Sequence, residues 1–178
     1  MQLSMRKLLN WITSNDLQGA AQCGTHLFSS EVFTPFNVQW NDILDNIERC
    51  RRIKGNDTSK ILSGSIIVHR TFNKTIDDIA CKVRETLRER VKNKSTTTHV
   101  YTSFYSGAET FGPHQDTAHV LFFNLIGLVQ FEVNDSAGSH KYVMKPGDVI
   151  FVPAGLTHDT YPLTPRASLS FGAETNGL

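Results

Sequence analysis

Phe111-Gly-Pro-His-Gln-Asp-Thr-Ala-His119 is the stretch of this chain that predicts its fold. Within it, His114 and Asp116 are two residues apart, so on a β-strand both side chains would leave the same face of the sheet. A histidine and an aspartate at this spacing also occur by chance in many proteins, so the pair alone is weak evidence for a metal site. The pair supplies two ligands and needs a third from elsewhere in the chain.

A second segment, residues 144–158, supplies that third ligand. In it a Lys-Pro-Gly-Asp turn, a short apolar strand and a Pro-Ala-Gly turn follow one another and end at His158. In a small barrel this order brings His158 across to His114 and Asp116. Two neutral imidazoles and one carboxylate on a single face leave about three of six octahedral positions open, which is the arrangement of mononuclear non-haem Fe(II) centres.

The composition is that of an ordinary globular domain. The 178 residues are 39% hydrophobic, enough for one full core, and the net charge of +1 predicts no global attraction to nucleic acid or to a membrane. The three cysteines lie far apart without a C-x-x-C spacing, which indicates reduced thiols in a cytoplasmic protein. The first 13 residues contain no targeting segment.

The chain changes its hydrophobic period near its middle. We predict helices over residues 3–12 and 41–52, a strand over Ser63–Arg70, and a long helix with Thr75 as N-cap. The second half consists of short apolar or alternating runs separated by turn residues, at 100–105, 120–128, 129–133, 141–144, 149–152 and 167–171. This α+β, mainly β pattern predicts an antiparallel barrel or sandwich with helices packed outside it.

Two segments resemble a known family. Residues 100–133, with Tyr105-Ser-Gly107, the stretch from Phe111 to Asp116 and then Gly127 before Phe131-Glu-Val133, resemble the metal-binding half of the cupin-like jumonji-C oxygenases, most nearly the ribosomal-protein hydroxylase branch. Residues 145–158 are similar to that family's second metal segment. The resemblance implies a double-stranded β-helix, the jelly-roll or cupin barrel, with flanking helices from the N-terminal half. It also implies Fe(II) held by His114, Asp116 and His158, and 2-oxoglutarate as cosubstrate.

The expected domain is a single cupin-like oxygenase unit over residues 1–178, with a helical and strand portion over about 1–95 and the metal-binding barrel over about 98–173. The chain ends soon after the last predicted strand, so we expect it to lack the C-terminal dimerisation and winged-helix regions of the ribosomal-protein branch. A monomer or weak dimer is the corresponding expectation.

The cosubstrate contacts depart from the family's pattern. Members usually carry Lys or Arg shortly after the glycine, whereas here Gly127 is followed by Leu, Val and Gln. Arg166 offers a replacement, because an Arg with Ser168 two residues on resembles the cosubstrate anchor of other 2-oxoglutarate oxygenases, and a guanidinium can hold a carboxylate through two hydrogen bonds. The alternative for Arg166 is a surface ion pair. Further candidates for polar contacts to the cosubstrate are Asn124, Tyr101 and Thr117.

The predicted function is that of an Fe(II)- and 2-oxoglutarate-dependent dioxygenase. It would hydroxylate or demethylate an unidentified substrate with O2, releasing succinate and CO2, with no catalytic residue beyond the metal ligands. The substrate class stays open among a protein side chain, a nucleic acid and a metabolite. One alternative, favoured by the missing cation after Gly127, is a metal-dependent cupin that acts on a small molecule without 2-oxoglutarate. Another is a non-catalytic cupin binding module.

The remaining histidines carry no ligand spacing. His119 is an odd number of residues from His114, which on a regular strand puts it on the opposite face and predicts a packing or supporting role. The others are interpreted as ordinary histidines: His26, His69, His99 and His140.

Overall fold

The protein was analysed as a computed structural model that describes residues 1–52, 59–91 and 95–174. The helices in these ranges are α1 (Gln2–Ser14), α2 (Leu17–Cys23), α3 (Trp40–Arg52) and α4 (Lys74–Val91). The strands are β1 (Leu27–Ser29), β2 (Ser59–Leu62), β3 (Ser65–Val68), β4 (Thr96–Ser103), β5 (Ala118–Ile126), β6 (Val129–Asp135), β7 (Gly138–Met144), β8 (Val149–Val152), β9 (His158–Pro162) and β10 (Arg166–Glu174).

The strands form two sheets that pack face to face. The larger sheet has the order β1-β8-β5-β10-β4-β3-β2, and the smaller has the order β7-β6-β9. Neighbouring strands run antiparallel, and β10 lies in the middle of the larger sheet with β5 on one side and β4 on the other. From β7 to β10 the chain alternates between the two sheets, so β8 and β10 lie in the larger sheet and β9 lies between them in sequence but in the smaller sheet, as in a jelly roll.

Side chains alternate along β5 between two separate cores. Val120 and Phe122 face the smaller sheet and pack with Phe131 and Val133 of β6. Leu121 and the next alternate residues of β5 face the other way and belong to the core beneath the helices. A strand buried on both faces reads as a continuous apolar run, which is the pattern found at residues 120–123.

The helices cover the outer face of the larger sheet. Apolar residues of α4 repeat at three- and four-residue spacing, so one side of the helix is fully buried against the sheet and against α1. The buried residues of α4 are Ile76, Ile79, Ala80, Val83 and Leu87. Helices outside a mainly β, double-stranded β-helix barrel are what the sequence predicts, and the predicted fold class is confirmed.

One local prediction was wrong, and another was right with shorter bounds. The residue that caps α4 is Asn73, whose side-chain oxygen accepts hydrogen bonds from the backbone of Thr75 and Ile76 at 3.0 and 3.3 Å, so Thr75 is not the N-cap. Asparagine competes well for this position, because its oxygen reaches the free backbone N–H groups of the first turn. The strand predicted over Ser63–Arg70 is present as β3, which is shorter than predicted because Gly64, with φ +75°, lies in the turn that joins β2 to β3.

No helix in the described ranges is long and apolar enough to cross a membrane. The single domain predicted for residues 1–178 stays a prediction, because its span includes residues 53–58, 92–94 and 175–178, which lie outside the described ones.

Candidate metal centre

His114 and His158 face each other across an antiparallel bridge between two backbone segments. The backbone N–H of His114 donates to the carbonyl of His158 at 3.0 Å, and the N–H of His158 donates back to His114 at 2.9 Å. Residues opposed in this way place their side chains on the same face, and the two imidazole centroids are 4.5 Å apart. Hydrogen bonding between the chain segments therefore brings together two histidines that are far apart in sequence.

Asp116 completes the group from a turn rather than from a strand. The bridge ends at His114, and the chain bends before β5 begins, so strand alternation does not set the direction of Asp116. Its backbone carbonyl accepts a hydrogen bond from Gly155 at 2.9 Å, which ties this turn to the turn before β9. One ligand atom from each of His114, Asp116 and His158 lies within 4.8 Å of the other two.

Backbone carbonyls orient both imidazoles. His114 Nδ1 lies 2.7 Å from the carbonyl oxygen of Gly112, and His158 Nδ1 lies 3.0 Å from that of Leu156. A carbonyl can only accept, so each Nδ1 carries the proton and each Nε2 keeps a free lone pair. Fixing the tautomer through the second ring nitrogen is the usual support of a metal-binding histidine.

The carboxylate of Asp116 is the charged ligand of this group. The contact with the His158 side chain lowers its pKa, although partial burial acts in the opposite direction. The nearest oxygen of Asp116 is 3.5 Å from His158 Nε2, and the ring of Phe131 stacks on the other side of His158 with an interplanar angle of 7°. Two neutral nitrogens and one carboxylate oxygen suit Fe(II) and related divalent ions.

Arg166 is buried on the wall of the same cavity. It is the first residue of β10, is 2% exposed, and lines the cavity together with the three candidate ligands. Its Nη1 donates to Ser168 at 2.9 Å, while its Nε has no hydrogen-bond partner among the described residues. Burial lowers the pKa of Arg166 to about 10, so the group still carries its charge at neutral pH. The alternative of a surface ion pair does not describe this side chain.

Ser168 and Asn124 lie behind Arg166. The Ser168 hydroxyl accepts from Arg166 and donates to Asn124 Oδ1 at 2.6 Å. The amide nitrogen of Asn124 donates to the carbonyls of Met144 at 2.9 Å and Gly127 at 3.3 Å, so this buried side chain has both its ends hydrogen-bonded. Neither Ser168 nor Asn124 is among the residues that line the cavity.

Tyr101 and Thr117, the other two residues predicted to contact the cosubstrate, lie in different positions relative to the cavity. Tyr101 lines the cavity, and the Arg166 guanidinium carbon lies 5.8 Å from its ring centroid. Burial raises the pKa of Tyr101 to about 12, and the nearby charge of Asp116 acts in the same direction. Thr117 is exposed in the bend after Asp116 and does not line the cavity.

Sequence reasoning missed the histidines that border this cavity. His69 follows β3 and His99 lies on β4, and their rings meet edge to face with centroids 4.6 Å apart. Both line the outer part of the opening beside Tyr101. The signal for this pair is strand pairing, because Val68 and Val100 are partners in the β3–β4 register, and single-residue spacing does not reveal it.

Two other predictions about histidines have different outcomes. His119 lies outside the ligand group, and its Nδ1 accepts a hydrogen bond from the backbone of Ala154 at 3.0 Å. His26 and His140, interpreted from the sequence as ordinary histidines, instead share a carboxylate partner, Asp135. Asp135 and His140 flank the turn of the β6–β7 hairpin, which is a local signal for this second group.

No protein-family model matches the sequence, and no curated protein sequence matches it. Solved structures do match the fold. A crystal structure of the ribosomal oxygenase YcfD from Escherichia coli is similar with a TM-score of 0.66 and 14% identity, covering 86% of this chain and 49% of that one. A structure of the same E. coli protein in complex with cobalt and 2-oxoglutarate has a TM-score of 0.63 and 14% identity, covering 85% of this chain and 48% of that one.

A prolyl-4-hydroxylase from Pseudomonas putida is similar over a different extent. Its TM-score is 0.56 at 12% identity, and the match covers 95% of this chain and 100% of that one. By contrast, the chain spans about half the length of the E. coli chains that it matches. At these identities the likeness shows the fold alone. At that level it confirms the resemblance to cupin-like oxygenases seen in the sequence.

Proposed function

We propose that the protein is a cupin-like jumonji-C oxygenase that uses Fe(II) and 2-oxoglutarate. In the reaction, a substrate C–H bond would be hydroxylated, or a carbon on nitrogen removed after hydroxylation, with one O2 consumed and succinate and CO2 released. The fold supports this proposal, since solved structures of similar fold include a ribosomal oxygenase described in complex with cobalt and 2-oxoglutarate. The arrangement of this chain's own residues supports it further.

The observation that carries the proposal is the unpaired cation of Arg166. A buried guanidinium without a carboxylate partner is costly, because a charge removed from water needs a counter-charge. Arg166 is 2% exposed, its Nε has no partner among the described residues, and it lines the cavity that contains His114, Asp116 and His158. A dicarboxylate with one end at the metal and the other at Arg166 would supply the missing counter-charge.

The residues present fit both groups. His114, Asp116 and His158 would hold Fe(II) through two Nε2 atoms and one carboxylate, leaving other coordination positions for the cosubstrate and O2. Arg166 would bind the far carboxylate of 2-oxoglutarate with charge-assisted hydrogen bonds, and Ser168 would hold the guanidinium in direction. When bound, iron and 2-oxoglutarate would supply the oxidising chemistry that the protein's side chains lack.

The protein's own contribution is orientation and the exclusion of water. The carbonyls of Gly112 and Leu156 keep the proton of each imidazole on Nδ1 and away from the metal. Phe122 and Phe131 line the cavity beside the ligands with apolar surface, which strengthens the electrostatic contact between Arg166 and a bound anion. Tyr101 stays protonated at neutral pH, because its raised pKa of about 12 keeps its hydroxyl as a donor.

Two alternatives explain fewer of these observations. A cupin that acts on a small molecule without 2-oxoglutarate is consistent with the missing cation after Gly127, where Leu128 and Val129 follow. A non-catalytic binding module would need no metal. Neither one by itself requires an anion between Arg166 and the three metal-ligand side chains that line the same cavity.

The reaction is tested by incubating the protein with Fe(II), air and 13C-labelled 2-oxoglutarate, without any second substrate. The proposal predicts slow formation of labelled succinate that His158→Ala abolishes. The matched variant His119→Gln, which alters a histidine outside the ligand group, should retain the activity. If the iron-loaded wild-type protein leaves 2-oxoglutarate intact, the small-molecule cupin alternative takes the place of the proposed oxygenase.

A further inference from the structure

A second group of metal-ligand side chains lies on the smaller sheet, away from Arg166. It consists of His26, just before β1, Asp135, at the end of β6, and His140, on β7. His26 Nδ1 is 2.7 Å from one oxygen of Asp135, and His140 Nε2 is 3.0 Å from the other. One ligand atom from each residue lies within 4.8 Å of the other two.

The strand register places this group relative to the candidate iron site. His158 is opposite Val133 in the β6–β9 pair, and Val133 is opposite His140 in the β6–β7 pair. With about 4.8 Å between strands, His140 and His158 are two strands and roughly 10 Å apart. The two groups are therefore separate, share no residue and have the same composition of two histidines and one aspartate.

We propose that His26, Asp135 and His140 form a second metal site, for a borderline divalent ion such as Zn(II), that joins β1 to the β6–β7 hairpin. The donor set suits the ion, because zinc binds imidazole nitrogen and carboxylate oxygen at about 2.0–2.2 Å. Around a tetrahedral ion, ligand atoms at those distances are about 3.4 Å from one another. The separations of 2.7 and 3.0 Å here are hydrogen-bond distances, and the ligand atoms would move apart by about 0.5 Å when the ion binds.

The residues around the group give it the support that metal ligands need. His26 Nε2 is 2.8 Å from the hydroxyl of Tyr142, so the second ring nitrogen has a partner when Nδ1 is a ligand. The backbone N–H of Ala137 donates to Asp135 at 2.8 Å and fixes the carboxylate.

Burial also fits an ion. The side chains of His26 and Asp135 are 6% and 2% exposed, whereas that of His140 is 31% exposed. The group is thus closed on one side and open at His140, which leaves room for a water as fourth ligand.

This inference is independent of the proposed oxygenase activity, and its test counts bound metal. Protein without a polyhistidine tag is freed of metal with a chelator, loaded with Zn(II), desalted and analysed for zinc by mass spectrometry. We expect two equivalents in the wild-type protein, one in His140→Gln, one in His158→Ala and none in the double variant. His69→Ala, which alters a histidine outside both groups, should retain two.

Two further variants separate ligation from folding. The amide of His140→Gln can still donate to Asp135, so the hydrogen bond that joins the hairpin is kept while the metal ligand is lost. Tyr142→Phe should retain two equivalents but bind one of them about 10- to 100-fold more weakly in competition with a coloured chelator. Circular dichroism checks that each variant is folded.

The number of zinc ions bound by each variant decides between the possible sites. The second site is overturned if the wild-type protein binds one zinc ion, and that ion is lost in His158→Ala but kept in His140→Gln. His26, Asp135 and His140 are then only a hydrogen-bonded cluster. A second equivalent that survives in His140→Gln also overturns the second site. If the wild-type protein binds one zinc ion and only His140→Gln loses it, the second site is supported and the candidate iron site is contradicted.

Discussion

Arg166 donates a 2.9 Å hydrogen bond to Ser168, two residues further along β10, and no carboxylate of the described residues forms an ion pair with the guanidinium. The Ser168 hydroxyl donates a hydrogen bond to Asn124, and the amide nitrogen of Asn124 donates to the backbone carbonyl of Met144. All three side chains are buried. The guanidinium of Arg166 is therefore oriented by neutral groups, and its charge remains available to an anion in the cavity.

Ser168→Ala tests this orientation. Without the hydroxyl, Arg166 Nη1 and Asn124 Oδ1 each lose a buried partner, which costs about 1 kcal/mol for the bound anion. We expect 2-oxoglutarate to bind about five- to tenfold more weakly in calorimetry with Mn(II) in place of iron, while Mn(II) affinity is unchanged. Ser4→Ala removes a buried serine of α1 and should leave both affinities alone. Equal cosubstrate affinity in Ser168→Ala and wild-type protein would show that Arg166 needs no such support.

Gly127→Ala tests the close approach between the β5–β6 turn and the start of β10. Gly127 has φ +75°, and a β-carbon there would lie 2.0 Å from the carbonyl oxygen of Pro165. We expect a loss of at least about 2 kcal/mol in the free energy of unfolding, measured with urea, from strain plus displaced backbone. Gly24→Ala is the matched control, with φ +62° and open space around the β-carbon, and should lose only about 1 kcal/mol. Similar losses for the two variants would argue against the close contact.

His99 predicts how stability changes with pH. Burial lowers its pKa from 6.5 to about 4, and the charge of His69 lowers it further while that of Asp116 opposes the shift. Between pH 4 and pH 6.5 the unfolded chain therefore binds more protons than the folded one. The contribution of neutral His99 to the free energy of unfolding should be fully present above about pH 6.5 and should be lost as the pH drops toward 4. Over this pH range we expect the free energy of unfolding to fall by about 1–2 kcal/mol less in His99→Gln than in the wild-type protein, measured by urea unfolding of the metal-free form.

The pH comparison has its own control. His69→Gln removes the neighbouring imidazole, whose pKa is also lowered by burial, and should flatten the profile less than His99→Gln does. If His99→Gln and wild-type protein lose stability in parallel as the pH falls, the loss comes from other groups and His99 is not buried in its neutral form.

The sequence predicts the part of the candidate site that depends on local order. His114 and Asp116 are close in the chain, and the turns around residues 144–158 imply where His158 returns. The structure brings these three side chains together, although Asp116 reaches its position from a bend instead of a strand. The mainly β fold is predictable for the same reason, because short apolar runs and turn residues are local signals.

What the sequence does not predict depends on long-range register. His26 meets Asp135 across 109 positions of sequence, and nothing near His26 indicates a partner. The extent to which Arg166 is buried also comes from the pairing of β10 with both β4 and β5 in the middle of the larger sheet. Thr75 is not the N-cap that the sequence predicts, because Asn73, two residues earlier, accepts hydrogen bonds from the backbone N–H groups of Thr75 and Ile76.

The central claim is that Arg166 binds the far carboxylate of 2-oxoglutarate at an iron held by His114, Asp116 and His158. It is tested most directly by an anaerobic titration of the Fe(II) protein with 2-oxoglutarate, following the visible charge-transfer band of a chelated 2-oxo acid. The control ligand is 2-oxobutyrate, which has the chelating end and lacks the far carboxylate. Arg166→Ala is titrated with both compounds.

We predict that the wild-type protein forms the band and binds 2-oxoglutarate about 10- to 100-fold more tightly than 2-oxobutyrate, as expected for a charged hydrogen bond of about 1.5–3 kcal/mol. Arg166→Ala should lose this preference and bind the two compounds alike. If iron binds but no band develops, or if Arg166→Ala keeps the preference of the wild-type protein, the claim is contradicted.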